Sequence, residues 1–230
     1  MKKFMNFVMF FLFTYPAGIV IGLIFWTLRF VRVLELNGWE NFPKQKGKIL
    51  FVSNHPYKGE QFLVPGLFFP LYVLQPKYGP WSVVDRKNYY DKWWAIVLRP
   101  RLIPVDRTLQ NGDVGSLAVA RSVLESGANI IIFPEGGRTK KGKAKDLLTS
   151  RTGRMLRRLK VGFAYLATEV PGVTLLPVWC EFDSWSVRIT IGRAENFYNM
   201  NRKEVVQITE GILLKLADHQ ASREGANHRP

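Results

Sequence analysis

The 230-residue chain is short of cysteine, histidine and acid, and each shortage narrows the reading. A single cysteine, Cys180, rules out a disulfide scaffold. Three histidines, His55, His219 and His228, leave little choice for imidazole chemistry, because the last two stand in a polar C-terminal stretch. Asp and Glu number 18 against 33 Lys and Arg, a formal net charge of +15. Such an excess calls for an anionic partner: nucleic acid, anionic lipid or a phosphorylated substrate. No internal repeat is visible. A hydrophobic content of 47% excludes disorder, and the length suits one domain plus an appendage.

Charge is absent altogether from Phe4 to Leu28, a run rich in Phe, Ile, Leu and Val. As one helix it would span roughly 37 Å, enough for a hydrocarbon core of about 30 Å. It is too long for a signal peptide and is not followed by a small-residue cleavage site. Being apolar on all sides, it does not fit a helix buried in a soluble core. Pro16-Ala17-Gly18 splits it into two halves, each too short to span. Lys2 and Lys3 flank one end, Arg29 and Arg32 the other, so the positive-inside rule ties for a single span. A re-entrant hairpin puts both basic ends on the cytoplasmic side and is the favoured form, with a single apolar helix as the alternative.

Residues 1–35 are thus a membrane-anchoring segment, 36–218 a folded domain and 219–230 a polar tail that frays. The domain opens on a polar, turn-rich linker from Asn37 to Lys44. Apolar runs at 48–53, 81–84, 102–105, 128–133, 174–178 and 187–191 predict strands. Helices are predicted from Asp113, an N-cap, to Glu125, from Gly153 to Glu169, and from Lys203 to Ala217. In the second of these, Met155, Leu156, Leu159, Phe163 and Leu166 fall on one face and Arg154, Arg157 and Arg158 on the other. Strands alternating with helices predict an α/β domain, a mixed β-sheet flanked by helices.

Three segments carry candidate chemistry. In Ser53-Asn54-His55-Pro56-Tyr57-Lys58-Gly59-Glu60, His55 follows a predicted strand, where α/β folds present reactive groups. Glu60 lies five residues on, within reach of the ring's Nδ1, which would fix the tautomer and free Nε2 to take a proton. The plain alternative is a histidine that caps the loop. In Leu102-Ile103-Pro104-Val105-Asp106-Arg107, a short strand could offer Arg107 to a phosphate; alone it reads equally as an Asp106–Arg107 surface pair. In Phe133-Pro134-Glu135-Gly136-Gly137-Arg138-Thr139, two glycines allow close backbone approach and Arg138 adds charge. Gly137 to Lys143 also matches part of a P-loop, but Ala144 stands where a metal-binding Ser or Thr is required, so a nucleotide loop is rejected. Cys180 reads as packing. Ten basic residues and one acid, Asp146, lie between Arg138 and Lys160, a stretch suited to anionic headgroups in a membrane-anchored protein.

Together the three segments resemble the glycerolipid (lysophospholipid) acyltransferase family, which includes the 1-acylglycerol-3-phosphate acyltransferases. The family's Asn-His-x4-Asp reads here as Asn54-His55-x4-Glu60, and its Ile-Pro-Val-Asp-Arg is Ile103 to Arg107. Its Phe-Pro-Glu-Gly-Thr-Arg-Ser is Phe133 to Thr139, and a Val-Pro-Val-like strand is Leu176-Pro177-Val178. Order and spacing agree from about Lys48 to Val178, with two departures: Glu60 for Asp and Gly137 for Thr. The resemblance implies an O-acyltransferase in which His55 is the base and Glu60 orients it. It implies a phosphate site from Arg107, Glu135, Gly136 and Arg138, and Pro177 at the acyl wall. Glu135 cannot bind phosphate itself and is expected to hold an arginine. The donor would be acyl-CoA or acyl carrier protein and the acceptor a lysophospholipid at the membrane, 1-acylglycerol 3-phosphate giving phosphatidic acid, with another lysolipid acceptor as the alternative; neither cofactor nor metal and no nucleic-acid partner is expected. A non-enzymatic membrane-tethered binder of anionic lipid or nucleic acid would satisfy composition alone, but it gives no reason for the three segments to occur in this order.

Overall fold

The computed structural model describes residues 2–57, 60–109, 113–182 and 186–227. His228 lies outside them. Among the described residues, nine strands form a seven-stranded mixed sheet and a separate two-stranded hairpin. The strands are β1 (Leu34–Asn37), β2 (Ile49–Ser53), β3 (Trp81–Asp85), β4 (Leu102–Val105), β5 (Ile130–Ile132), β6 (Leu147–Thr149), β7 (Met155–Arg157), β8 (Thr174–Phe182) and β9 (Val187–Ile191). The large sheet has the order β1-β9-β8-β2-β5-β3-β4 and is parallel except between β8 and β9. The predicted mixed α/β sheet flanked by helices is therefore the observed architecture.

Side chains alternate across the pleat, and that alternation splits the core in two. Ile49, Phe51, Ile131, Leu176 and Val178 face a layer containing Phe25, Leu67 and Phe68. Leu50, Val52, Ile130, Ile132 and Leu175 face the other, against Phe163, Leu166 and Leu213. The second layer is built by helices α2 (Val114–Glu125), α3 (Gly162–Glu169) and α4 (Arg202–Asn227), counting the N-terminal helix as α1. Asp113 caps α2 by accepting the Ser116 N–H at 2.9 Å, and Asn201 does the same for Lys203 at the start of α4.

The N-terminal segment does not turn back. Helix α1 runs over residues 2–30, two α segments joined by a π-turn at Phe10–Thr14, and Phe4–Phe30 is long and apolar enough to cross a membrane. The hairpin expected at Pro16-Ala17-Gly18 is corrected: the π-turn immediately before Pro16 absorbs its missing N–H, so the helix continues. The glycines serve packing instead. Gly18 lies against the Tyr72 ring, whose hydroxyl donates to the Gly18 carbonyl, and a Cβ on Gly22 would fall inside the Phe69 ring. Thr14 donates to Val97 O at 2.5 Å and Trp26 to Gly66 O at 3.2 Å. One side of α1 is thus welded to residues 60–101, while Phe4, Phe7 and Leu12 on it are exposed.

Three further expectations change. The helix predicted from Gly153 begins at Gly162; before it, β7 pairs with β6 in the register Leu147↔Arg157 and Thr149↔Met155. Gly153 at φ +81° makes the turn, and the Arg158 N–H donates to Asp146 O at 2.8 Å. Apolar spacing over so short a stretch fitted both periods, and pairing decided it. The basic helix face therefore does not exist. Residues beyond His219 continue α4 to Asn227, with Gln220 buried against Thr190. The boundary at residue 35 falls inside β1, which belongs to the sheet.

Candidate functional site

The site assembles at the carboxyl ends of β2, β3, β4 and β5, where parallel strands hand over to loops. Asn54, one residue past β2, continues the ladder with its side chain: Oδ1 accepts the Cys180 N–H at 2.7 Å and Nδ2 donates to Cys180 O at 2.9 Å. That clamp fixes the next residue, His55. Its backbone is gripped on both sides by the third segment, since its N–H donates to Glu135 Oε1 at 2.6 Å and its carbonyl accepts the Thr139 N–H at 3.0 Å. Sequence reading named Asn54 and Thr139 only as neighbours. A carboxamide, able to donate and to accept, beside the candidate histidine was the available signal.

Glu60 opens a helical stretch at 60–63, and its buried Oε1 meets His55 Nδ1 directly. His55 is 8% exposed, and its imidazole lies by the Phe133 ring, centroids 5.1 Å apart. Nδ1 engaged by a carboxylate leaves Nε2 as the free nitrogen, the arrangement a general base requires. Glu60 Oε2 is buried with no partner among the described residues.

Glu135 departs from its expected part. It is fully buried and, among the described residues, holds no arginine side chain; its carboxylate accepts from the His55 and Arg157 backbone N–H groups and from the Thr139 hydroxyl. Burial pushes its carboxyl above the usual range, against those hydrogen bonds. The physical reason for the correction is position: the Glu135 side chain turns into the domain, beneath the turn that Gly136 makes at φ +67°. Arg107 does approach that turn. Its Nη1 donates to Gly136 O at 2.7 Å while Nε pairs with Asp85 Oδ2 at 3.1 Å, so the partner is Asp85 from β3 and not the adjacent Asp106. Asp106 instead accepts from the Thr108 N–H and hydroxyl. Arg138 is half-buried next to the same turn. Pro177 is not brought to the site: it sits within β8, its ring beside Gly192 and Leu216 on the α4 side of the sheet.

An apolar cavity runs along the opposite face, beside Gln61 and Phe62, and α1 contributes Phe10, Thr14, Tyr15 and Gly18 to its wall. Ser82, Val84 and Trp94 line it further, as does Arg101, just before β4. Arg101 packs over Phe10 and Trp81 and donates to Pro76 O at 2.9 Å; burial lowers its guanidinium to about 10. Cys180 is fully buried, and that burial pushes its thiol up to about 12, which leaves it no thiolate at neutral pH. Among the described residues there is no cluster of three His, Cys, Asp or Glu to hold a metal ion.

Comparison with known proteins follows the same outline. The family model described as Acyltransferase matches residues 33–181. No curated protein matches the chain. Among solved structures, the chain is similar to the 1-acyl-sn-glycerophosphate (LPA) acyltransferase PlsC from Thermotoga maritima, with a TM-score of 0.57 at 18% identity over 94% of this chain and 97% of that one. At that identity the likeness speaks for the fold.

Proposed function

The chain belongs to the acyltransferase family, and from that premise we propose that it moves a fatty acyl group from a thioester to the free hydroxyl of a lysophospholipid. The acceptor we assign is 1-acylglycerol 3-phosphate, giving phosphatidic acid. The observation that carries this reading is the buried His55–Glu60 pair, with the His55 backbone held by Glu135 and Thr139 and with Gln61, next to Glu60, on the wall of an apolar cavity. His55 Nε2 removes the acceptor's hydroxyl proton as its oxygen attacks the thioester carbonyl. The tetrahedral intermediate collapses, and the leaving thiolate recovers the proton from the imidazolium that Glu60 stabilises. No acyl-enzyme forms, because the acceptor oxygen is itself the nucleophile.

Arg107 and Arg138 flank the turn that takes the acceptor's phosphate, and the cavity takes a fatty chain. The exposed apolar side of α1 seats the protein in one leaflet, with the catalytic domain on the cytoplasmic face; its long contact with residues 60–101 favours this over a free span. The experiment is a panel of lysolipids offered to purified protein with labelled acyl-CoA and, separately, acyl carrier protein. Acylation of 1-acylglycerol 3-phosphate ahead of lysophosphatidylcholine-type acceptors is expected. Equal or reversed preference would refute the acceptor assignment, and inactivity on every lysolipid would refute the reaction.

A further inference from the structure

Gly136 and Gly137 are glycines for different reasons. Gly136 needs a left-handed backbone, φ +67°. Gly137, which replaces the threonine usual in the resembling family, has no such need. It is small because Arg157 occupies the space: a Cβ on Gly137 would lie 3.0 Å from Arg157 Nη1. Arg157 ends β7, anchored by its N–H to Glu135 Oε2 at 3.0 Å and by pairing with Leu147. Lys160 follows with its N–H on Pro134 O at 2.8 Å, and its side chain crosses 3.4–3.5 Å from where a Gly136 Cβ would be. Arg107 reaches the same turn from the other side. Arg107 has Asp85 as counter-charge, but among the described residues no carboxylate pairs with Arg157 or Lys160.

We propose that Arg157 is a specificity-determining residue whose guanidinium, in the place of the missing threonine side chain, binds the phosphate of a substrate at the Gly136–Gly137 turn. The inference rests on the acyl-transfer reading above. Unpaired cations gathered on a glycine turn, two residues before Thr139, whose N–H donates to the His55 carbonyl, are balanced by a group carrying up to two negative charges. Its planar fork matches phosphate oxygens as an ammonium does not. Phosphate is present both on the acceptor headgroup and on a phosphopantetheine-bearing donor, and the commitment here is to the acceptor.

The test measures KM for 1-acylglycerol 3-phosphate, for its phosphate-free counterpart 1-acylglycerol, and for acyl-CoA, in wild type, Arg157→Ala, Arg157→Lys, Gly137→Thr and the double variant. Loss of one charge-assisted contact should raise the KM for the phosphate acceptor about 10–100-fold in Arg157→Ala, with partial recovery in Arg157→Lys. Values for 1-acylglycerol and acyl-CoA should stay within about twofold, since neither uses that contact. Gly137→Thr, by displacing the guanidinium, should reproduce the loss, and the double variant should add nothing to it. An unchanged acceptor KM, a rise confined to acyl-CoA, or equal losses on both acceptors would overturn the assignment. Arg157→Ala alone decides the matter if its melting temperature is normal and Gly137→Thr does not fold. A wild type inactive on all lysolipids refutes the reaction itself, an outcome distinct from these.

Discussion

Replacing Glu135 by alanine removes one acceptor from three donors at once: the His55 and Arg157 backbone N–H groups and the Thr139 hydroxyl. All three lie in a region where Glu135 itself is fully buried, so water relieves little of the loss. An orphaned buried donor costs about 1–3 kcal/mol, and removing a carboxylate that is itself costly to bury offsets part of that. The net is roughly 3–6 kcal/mol, or roughly 10–20 °C in Tm for a chain of this size. Because one of the three donors is His55, turnover should fall with stability. The charge state sharpens the test. Burial raises the Glu135 carboxyl above its ordinary value of 4.5, so folding favours the neutral form. Its stabilising contribution is full below the unfolded-state value and is lost as pH rises through the raised folded-state value. Wild type measured against Glu135→Gln should therefore look most stable in acid and lose that advantage as pH rises. Calorimetry across pH with parallel acyl-transfer assays reads both effects. A normal Tm in Glu135→Ala with only the acceptor KM raised would refute this reasoning and return Glu135 to the role first expected of it, holding an arginine at the phosphate site.

Glu60→Gln keeps the size of the side chain and removes the charge beside His55 Nδ1, so kcat should drop about 100-fold or more with the fold intact. Glu60→Asp should keep intermediate activity, the shorter arm misplacing the carboxylate by on the order of 1 Å; Gln matching wild type would show that His55 works without it. Phe25→Ala should cost about 3–5 kcal/mol, because this α1 side chain lies in the core under the sheet. By the same contacts, deleting residues 1–31 should unfold or aggregate the domain; a truncated protein that melts normally would show α1 to be a detachable anchor. Excess iodoacetamide at pH 8 should leave activity intact, since the Cys180 thiol is buried and pushed up to about 12; rapid inactivation tracking Cys180 modification would contradict that.

Legibility in the sequence followed the range of the forces involved. The six strands of the large sheet that alternation or β-branched runs could mark were all anticipated; β1 was missed, because Leu34–Asn37 follows directly on an apolar helix and blends into it. The hairpin at 147–157 was missed because its apolar residues satisfy a helical period, and only pairing and the Glu135 contact select the strand. Pro16 was read as a break because proline costs a helix a hydrogen bond, but a π-turn and close glycine contacts with Phe69 and Tyr72 compensate. At the candidate site, local spacing sufficed to anticipate the contact between His55 and Glu60, five residues apart. Contacts between segments far apart in sequence were invisible: Asn54 on Cys180, Asp85 on Arg107, and Arg157 over Gly137. Pro177 was carried over by resemblance and lies on the wrong side of β8 for the cavity, a matter of pleat that no motif encodes.

The central claim is that the His55 imidazole is the base that starts acyl transfer. His55→Ala, purified in the same membrane-mimetic as wild type, should keep its Tm within a few degrees and its KM values within about twofold, while kcat falls about 10²–10⁴-fold. Turnover near wild type in that variant, on 1-acylglycerol 3-phosphate and acyl-CoA, would contradict the account.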